Sequence, residues 1–387
     1  MMRERNRILL QIALFVITCI TTTMAGAQMV YVPADPNNLD FTWNDFFKGL
    51  EFSIPLLLFL TAHEFGHYFV AIYNKVKTSL PYYIPFPPVF LMTIGTLGAV
   101  IRLRSKPASN IQSFDIGIAG PLAGFVVAIG ILFYGFSTLP ATDDIFRIHP
   151  EYKEYGLDYS KHVYEPEFYS KQKGEVNDIT IGTNLLFAFF GKFVGDPSRV
   201  PNPHELMHYP VLLAGFLALF FTCLNLLPIG QLDGGHVVYG LFGYKKHKII
   251  ATVFLVLLLM YGGMGLEYIN PKLPPLDFIL GMLIYPLFLY TALTGLKLSR
   301  RDTAMYALLI FAMHFLMTTY FPQVKGNLTW LIFGFITGRF IGVAYPQSEI
   351  EKPLDPGRVT LGWIALIVFV LCFSLSPIDS VLFNAKQ

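Results

Sequence analysis

Charge is what this 387-residue sequence lacks most: Asp, Glu, Lys and Arg together make up 14% of it. A soluble globular chain carries about 25%, so there is too little solvated surface for an ordinary water-soluble enzyme. Disorder is equally excluded, because 54% of the residues are hydrophobic. The net charge of +2 is small and scattered, which argues against nucleic acid as a partner. Cysteine is scarce too. Cys19, Cys223 and Cys372 all sit in apolar runs and read as small buried hydrophobes, not as a disulfide framework or a cysteine–zinc cluster. Internal repeats and low-complexity stretches are absent. What the chain has is long hydrophobic runs, the mark of an all-α polytopic membrane protein.

A bilayer core about 30 Å thick takes roughly 20 apolar residues per helix. Nine runs qualify, with soft edges: 8–27, 47–74, 113–137, 210–230, 249–267, 277–296, 304–321, 328–345 and 359–376. Basic residues in short connections set orientation. One side collects Arg3, Arg5, Arg7, Lys75, Lys77, Arg102, Arg104 and Lys106. It also collects Lys245, Lys246, Lys248, Lys297, Arg300, Arg301, Lys352 and Arg358. The opposite segments offer only Lys48, Lys272, Lys325 and Lys386. The expectation is a cytoplasmic N-terminus, about nine transmembrane helices and an outer C-terminus. The first run, ending in Ala25-Gly26-Ala27, has a rival reading as a cleavable signal peptide. Either reading leaves residue 28 outside.

Two stretches depart from this plan. The long connection 138–209 lies outside and holds eleven acidic residues against seven basic ones. Within it, Ile179–Gly195 is apolar but interrupted by Gly182 and Gly191, and is expected to form an interfacial or re-entrant helix. Residues 84–104 contain Pro85, Pro87, Pro88, Gly95 and Gly98 before a β-branched run, which predicts a short re-entrant β-hairpin or strand. Such backbone must pack on protein or line a wet cavity, because lipid offers it no hydrogen bonds.

The chemistry is concentrated in the second run, at His63-Glu64-Phe65-Gly66-His67. Histidines four apart on a helix differ by about 40° in direction and about 6 Å in height, so both reach one ion. Between them a glutamate can act as general base without ligating, the H-E-x-x-H arrangement of hydrolytic zinc sites. Ionisable groups inside a membrane span are costly and usually functional. A hydrolytic zinc site wants a third protein ligand, and Asp233 in the fourth run, within Asn225–His236, is the best candidate. Pro228 and Gly230 should break the helix there. His67 lies twenty residues into its span and Asp233 about twenty-two into its own, and both spans run inward. Taken alone, Asp233-Gly234-Gly235 also describes a turn.

A second H-E-x-x-H, His204-Glu205-Leu206-Met207-His208, is bracketed by Pro201, Pro203 and Pro210. That leaves about one and a half helical turns and no nearby carboxylate suited to a third ligand, so it reads as a cap and interface segment. His236 reads as a neighbour of the site or an interface residue, and His314 as a packed, hydrogen-bonded histidine. Gly117-Ile118-Ala119-Gly120-Pro121-Leu122-Ala123-Gly124 lets helices approach closely. Gly334, Gly338 and Gly342 read as a packing stripe.

Together these residues resemble the site-2 protease family of intramembrane zinc metalloproteases. His63-Glu64-Phe65-Gly66-His67 is similar to its first motif, Asn225–Gly235 to its Asn-Pro-Asp-Gly type signature, and Gly120–Gly124 to the motif between them. The likeness covers roughly 47–240 and suits the bacterial and plastid branch without a PDZ insertion. It implies Zn2+ held by His63, His67 and Asp233, with Glu64 as the catalytic base. It also implies Asn225 near the substrate backbone or oxyanion, and an unwound membrane-protein substrate bound by strand addition along 92–104. The implied division is a first helix and outer linker (1–46), a catalytic membrane core (47–240) and C-terminal helices (241–387) whose role the resemblance does not explain. The implied location is the bacterial inner membrane. The competing class is a polytopic transporter or metal-binding scaffold without proteolysis. A transporter would more naturally show inverted repeats, and an inactive scaffold would not need an intact Glu64.

Overall fold

The computed structural model describes residues 4–30, 42–88, 94–169 and 175–384. Helix α1 (Glu4–Val30) is followed by a one-and-a-half-turn α2 (Trp43–Lys48) and α3 (Leu50–Tyr73). Strands β1 (Tyr82–Pro85) and β2 (Thr96–Val100) precede α4 (Asn110–Ser137). The long connection 138–209 then holds one-turn helices α5 (Ile145–Ile148) and α6 (Pro166–Tyr169), a 3-10 stretch Pro150–Lys161, strand β3 (Glu175–Ile181) and α7 (Leu185–Phe193). Helices α8 (Pro210–Leu226), α9 (Asp233–Gly262), α10 (Pro275–Leu293), α11 (Arg300–Tyr320), α12 (Leu328–Ile336) and α13 (Pro356–Cys372) follow, and strand β4 (Ile378–Asn384) closes the described chain.

Every apolar run of the sequence falls largely on helix, but among the described residues five helices are long and apolar enough to cross a membrane: Glu4–Val30, Trp43–Tyr73, Asn110–Ser137, Pro275–Leu296 and Arg300–Tyr320. Pro210–Leu226, Leu328–Ile341 and Pro356–Cys372 are shorter apolar helices, and 249–267 is mostly the second arm of α9, which bends at Gly243 (φ 76°). Outward-facing Ile279, Leu283, Ile284 and Leu287 of α10, with Leu308, Leu309 and Leu316 of α11, are exposed. An apolar exterior of this extent suits lipid, not water.

The core is α3 packed on α4, with α8 and the start of α9 against them. Phe52, Leu56 and Phe59 of α3, Phe114 and Leu132 of α4, and Leu212, Phe216 and Leu219 of α8 are buried in it. Helix α1 crosses α3 closely because neither Gly26 nor Gly49 carries a side chain. A Cβ on Gly26 would collide with Phe52 Cβ at 2.6 Å, and the Thr23 and Ser53 hydroxyls bond across the crossing at 2.8 Å. Ala25, Gly26 and Ala27 are buried there.

The expected hairpin is present: β1 and β2 pair antiparallel, Tyr82 opposite Val100. Residues 92–93 of the expected 92–104 strand-addition segment lie outside the described residues. The expected helix over Ile179–Gly195 is corrected. Its first residues end β3, which pairs antiparallel with β4 from Glu175–Asn384 to Ile181–Ile378, and α7 occupies only Leu185–Phe193. Asn184 caps α7 by accepting the Phe187 N–H at 2.9 Å. β-branched residues at 179–181 favour the strand once a partner from the far end of the chain is in place. The glycine stripe is partly corrected as well. A Cβ on Gly334 would meet Leu259 and one on Gly338 the Ala292 carbonyl, whereas one on Gly342 would meet nothing, and that glycine serves a left-handed turn (φ 89°). His314 is buried, with Nδ1 2.8 Å from the Tyr285 hydroxyl and Nε2 2.9 Å from the Met260 carbonyl, as expected. All three cysteines are free.

Candidate active site

His63 and His67 sit one turn apart on α3, both buried, with their Nε2 atoms 3.1 Å from each other. Asp233 reaches them from another element. Its Oδ2 lies 3.4 Å from His63 Nε2 and 3.3 Å from His67 Nε2. Helix α8 ends at Leu226 and Gly230 turns left-handed (φ 55°), so Asp233 stands in the first turn of α9, not in the fourth run where the sequence suggested it. The physical reason is the break expected at Pro228 and Gly230, completed by a return of the chain into a new helix. The helix N-terminus also favours a carboxylate there.

The return is tight. A Cβ on Gly234 would collide with the Leu226 carbonyl and one on Gly235 with the Gly230 carbonyl. The histidines are oriented by their surroundings: His67 Nδ1 donates to the Ile116 carbonyl of α4 at 2.6 Å, which leaves its Nε2 lone pair facing inward. The Asn225 amide lies 3.3 Å from His63 Nε2. Glu64 is 6% exposed, and its carboxylate lies near the Ile101 backbone N–H just past β2.

Two imidazole nitrogens and a carboxylate oxygen, each within 3.4 Å of the others, are a donor set suited to zinc. Zinc–nitrogen bonds of about 2.0–2.1 Å at tetrahedral angles put ligand atoms about 3.3 Å apart and leave a fourth position open. Residues 51–262, from α3 through α9, match the model of "Peptidase family M50". The chain belongs to peptidase family M50.

Curated relatives of this M50 chain include "Probable zinc metalloprotease EGY1, chloroplastic" of Arabidopsis thaliana, 26% identical over 54% of this chain and 32% of its own length. The protein of the same name from Oryza sativa subsp. japonica is 29% identical over 47% of this chain and 26% of its own. "Probable zinc metalloprotease EGY2, chloroplastic" of Oryza sativa subsp. indica is 25% identical over 51% and 30%. The match thus spans about a third or less of each relative's length. No solved structure matches the chain.

Sequence reading missed two parts of this M50 site. The first is Ile101, found only through the fold. The second is the use of the small-residue run on α4. Gly120 faces the His67 ring so closely that a Cβ would strike Nε2, Gly117 makes the same room for His236, and Gly124 lies under Phe59 and His63. Its glycine spacing was the available signal. His204 and His208 of the second H-E-x-x-H do not converge. His204 Nδ1 pairs with Asp178 at 2.8 Å and stacks on Tyr164. The expectation of no suitable carboxylate nearby is also corrected: Glu205 itself, with His208 and the distant His149, forms a group able to hold an ion. Sequence spacing could not show this, because His149 arrives from 59 residues away.

Proposed function

We propose that this chain is an intramembrane zinc metalloprotease that hydrolyses a peptide bond in or near a transmembrane segment of another membrane protein. The convergence of His63, His67 and Asp233 beside the buried Glu64 carries the reading. His63, His67 and Asp233 would hold Zn2+. When bound, zinc supplies a Lewis acid that acidifies water and polarises a carbonyl. Glu64 takes the proton of the attacking water and passes it to the leaving amine. The Ile101 N–H lies close enough to help position the Glu64 carboxylate, and the Ile116 carbonyl holds the His67 tautomer. Asn225 donates to the substrate backbone or the developing oxyanion.

Strand β2 offers the substrate platform. Among the described residues it pairs only with β1, Leu97 and Val100 on it are exposed, and its chain runs directly into Ile101. A substrate stretch paired along β2 would therefore arrive beside Glu64 already extended, as hydrolysis of a helical segment requires.

Contacts within the fold support the charge-based orientation. Arg104 pairs with Glu4, Asn110 bonds to Lys352 and Arg358 to Asp115, gathering the basic connections at one end. His208 bonds to Met29 and β3 to β4 at the other. We place the first end on the cytoplasmic side of a bacterial plasma membrane, with nine membrane-embedded helices and 138–209 outside; the EGY1 and EGY2 relatives are named as chloroplastic. The 47–240 region is the catalytic core. The test is cleavage of single-span membrane peptides. Wild type releases fragments, whereas Glu64→Gln retains uncleaved substrate. No cleavage of a broad panel by zinc-loaded wild type overturns the reading.

A further inference from the structure

The outer segment carries a second, slightly wider triangle of the same kind. His149 Nε2 and His208 Nε2 lie 3.2 Å apart, and Glu205 Oε2 lies 3.5 Å from the first and 3.7 Å from the second. Both remaining ring nitrogens are engaged by acceptors: His208 Nδ1 donates to the Met29 carbonyl at 2.7 Å and His149 Nδ1 to Glu151 at 3.0 Å. That assigns the proton of each neutral ring to Nδ1 and leaves two Nε2 lone pairs facing each other. Ligating histidines are commonly oriented in this way by a carboxylate or a carbonyl on the far nitrogen.

Glu205 fits the same pattern. It is 2% exposed, and its Oε1 accepts from the Tyr164 hydroxyl at 2.8 Å and the Tyr152 hydroxyl at 3.2 Å. Burial first, and the Glu205 charge second, push both phenols above their usual range, so they remain donors. Oε2 is left aimed at the histidine pair. Among the described residues no Lys or Arg forms an ion pair with Glu205, and a buried carboxylate without a cation is costly.

We propose that His149, Glu205 and His208 bind a second divalent zinc-class ion, structural in role. The site differs from the α3–α9 centre in place and in plan. Asn225, beside His63, and His208 bracket α8, so seventeen residues at about 1.5 Å each put roughly 25 Å between the two triangles. Here the glutamate is a ligand and not a free base, since its second oxygen is taken by two tyrosines. The ion would join three separate stretches: the 145–169 segment through His149, the loop before α8 through Glu205 and His208, and the end of α1 through Met29. The 145–169 segment suits such a staple. Among the described residues its buried cluster is Ile145, Tyr152, Tyr159 and Val163, with Phe146, Tyr155, Tyr164 and Phe168 packed against it, and its helices are single turns or 3-10. Small units of this kind are commonly held by a metal.

Metal analysis of the full chain in detergent tests this. Asp233→Ala removes the other centre's carboxylate, so that background should retain about one zinc per chain, and adding His149→Ala and His208→Ala should remove it. Glu205→Gln keeps the tyrosine partners but removes a charged ligand, and should weaken zinc by more than the roughly 10–100-fold typical of losing only an outer partner. His204→Ala should change nothing. Chelator-stripped wild type should take up about two zinc ions per chain, a readout that needs no variant to fold, and protease should then cut the 145–169 segment more slowly. Uptake of one ion, or equal zinc with and without His149 and His208, overturns the proposal in favour of a histidine pair that shares a proton. Peptide cleavage is read separately: its failure with two ions bound would count against the protease reading alone.

Discussion

Gly120→Ala separates the stability of α4 from the geometry of the metal centre. In an open helical position the change would favour the helix by about 1 kcal/mol. At Gly120 the new Cβ falls on the His67 ring, inside any allowed contact with Nε2. Ordinary carbon–nitrogen contact is about 3.5 Å, so either the ring moves by roughly 1 Å or α4 withdraws. Over-packing of this kind costs about 1–3 kcal/mol, which outweighs the propensity gain by about 0–2 kcal/mol, so the melting temperature should fall by no more than a few degrees. Ligand geometry is less forgiving, with metal distances held to about ±0.2 Å. Zinc affinity should therefore fall by at least 10–100-fold, the range seen when only an outer partner is lost.

The assay is zinc content and peptide cleavage of detergent-purified protein, where the variant should lack about one zinc per chain and most activity. Gly130→Ala is the control: it lies on the same helix with nothing within 4 Å of its Cβ and should keep both. A Gly120→Ala protein that holds zinc and cleaves like wild type would refute the reasoning.

Further outcomes follow from the same geometry. His67→Ala and Asp233→Ala should each remove about one zinc per chain by elemental analysis. Glu64→Gln should keep that zinc while cleavage drops about 10²–10⁴-fold in a fragment-release assay. Arg358 grips both oxygens of Asp115, Nε to Oδ1 at 2.7 Å and Nη2 to Oδ2 at 2.8 Å. Because the pair is partly exposed, Arg358→Ala should cost only about 1 kcal/mol, read as a modest fall in melting temperature. Lysine should not restore it, since an ammonium cannot make the paired contact. Cysteines introduced at Tyr155 and Lys246, in a chain without the native three, should label from opposite faces of the membrane; labelling from one face would overturn the orientation.

The covalent chain alone determined a good deal. Scarcity of charge and the length of the apolar runs require a bilayer, because uncharged helical surface of that extent has no stable place in water. His63 and His67 were legible because side chains four residues apart on one helix are brought together by helical geometry itself. The proline and glycine content of 84–104 announced the hairpin for an equally local reason. Asp233 could be nominated from its apolar surroundings and its depth, but its place at the start of α9 could not.

Only the tertiary structure decided matters that depend on which helix lies against which. Gly120 looked like generic packing until α4 was laid on His67. Ile101 carried no signal until β2 brought its N–H near Glu64. The second H-E-x-x-H misled because its partner comes from a segment with no helical period of its own. His204 turned toward Asp178, and His149 took its place beside Glu205 and His208. The strand at 175–181 was hidden for the same reason, since its hydrogen-bonding partner is the C-terminal strand 378–384. Contacts inside one helix follow from a fixed repeat, whereas contacts between distant segments are chosen by how the whole chain packs.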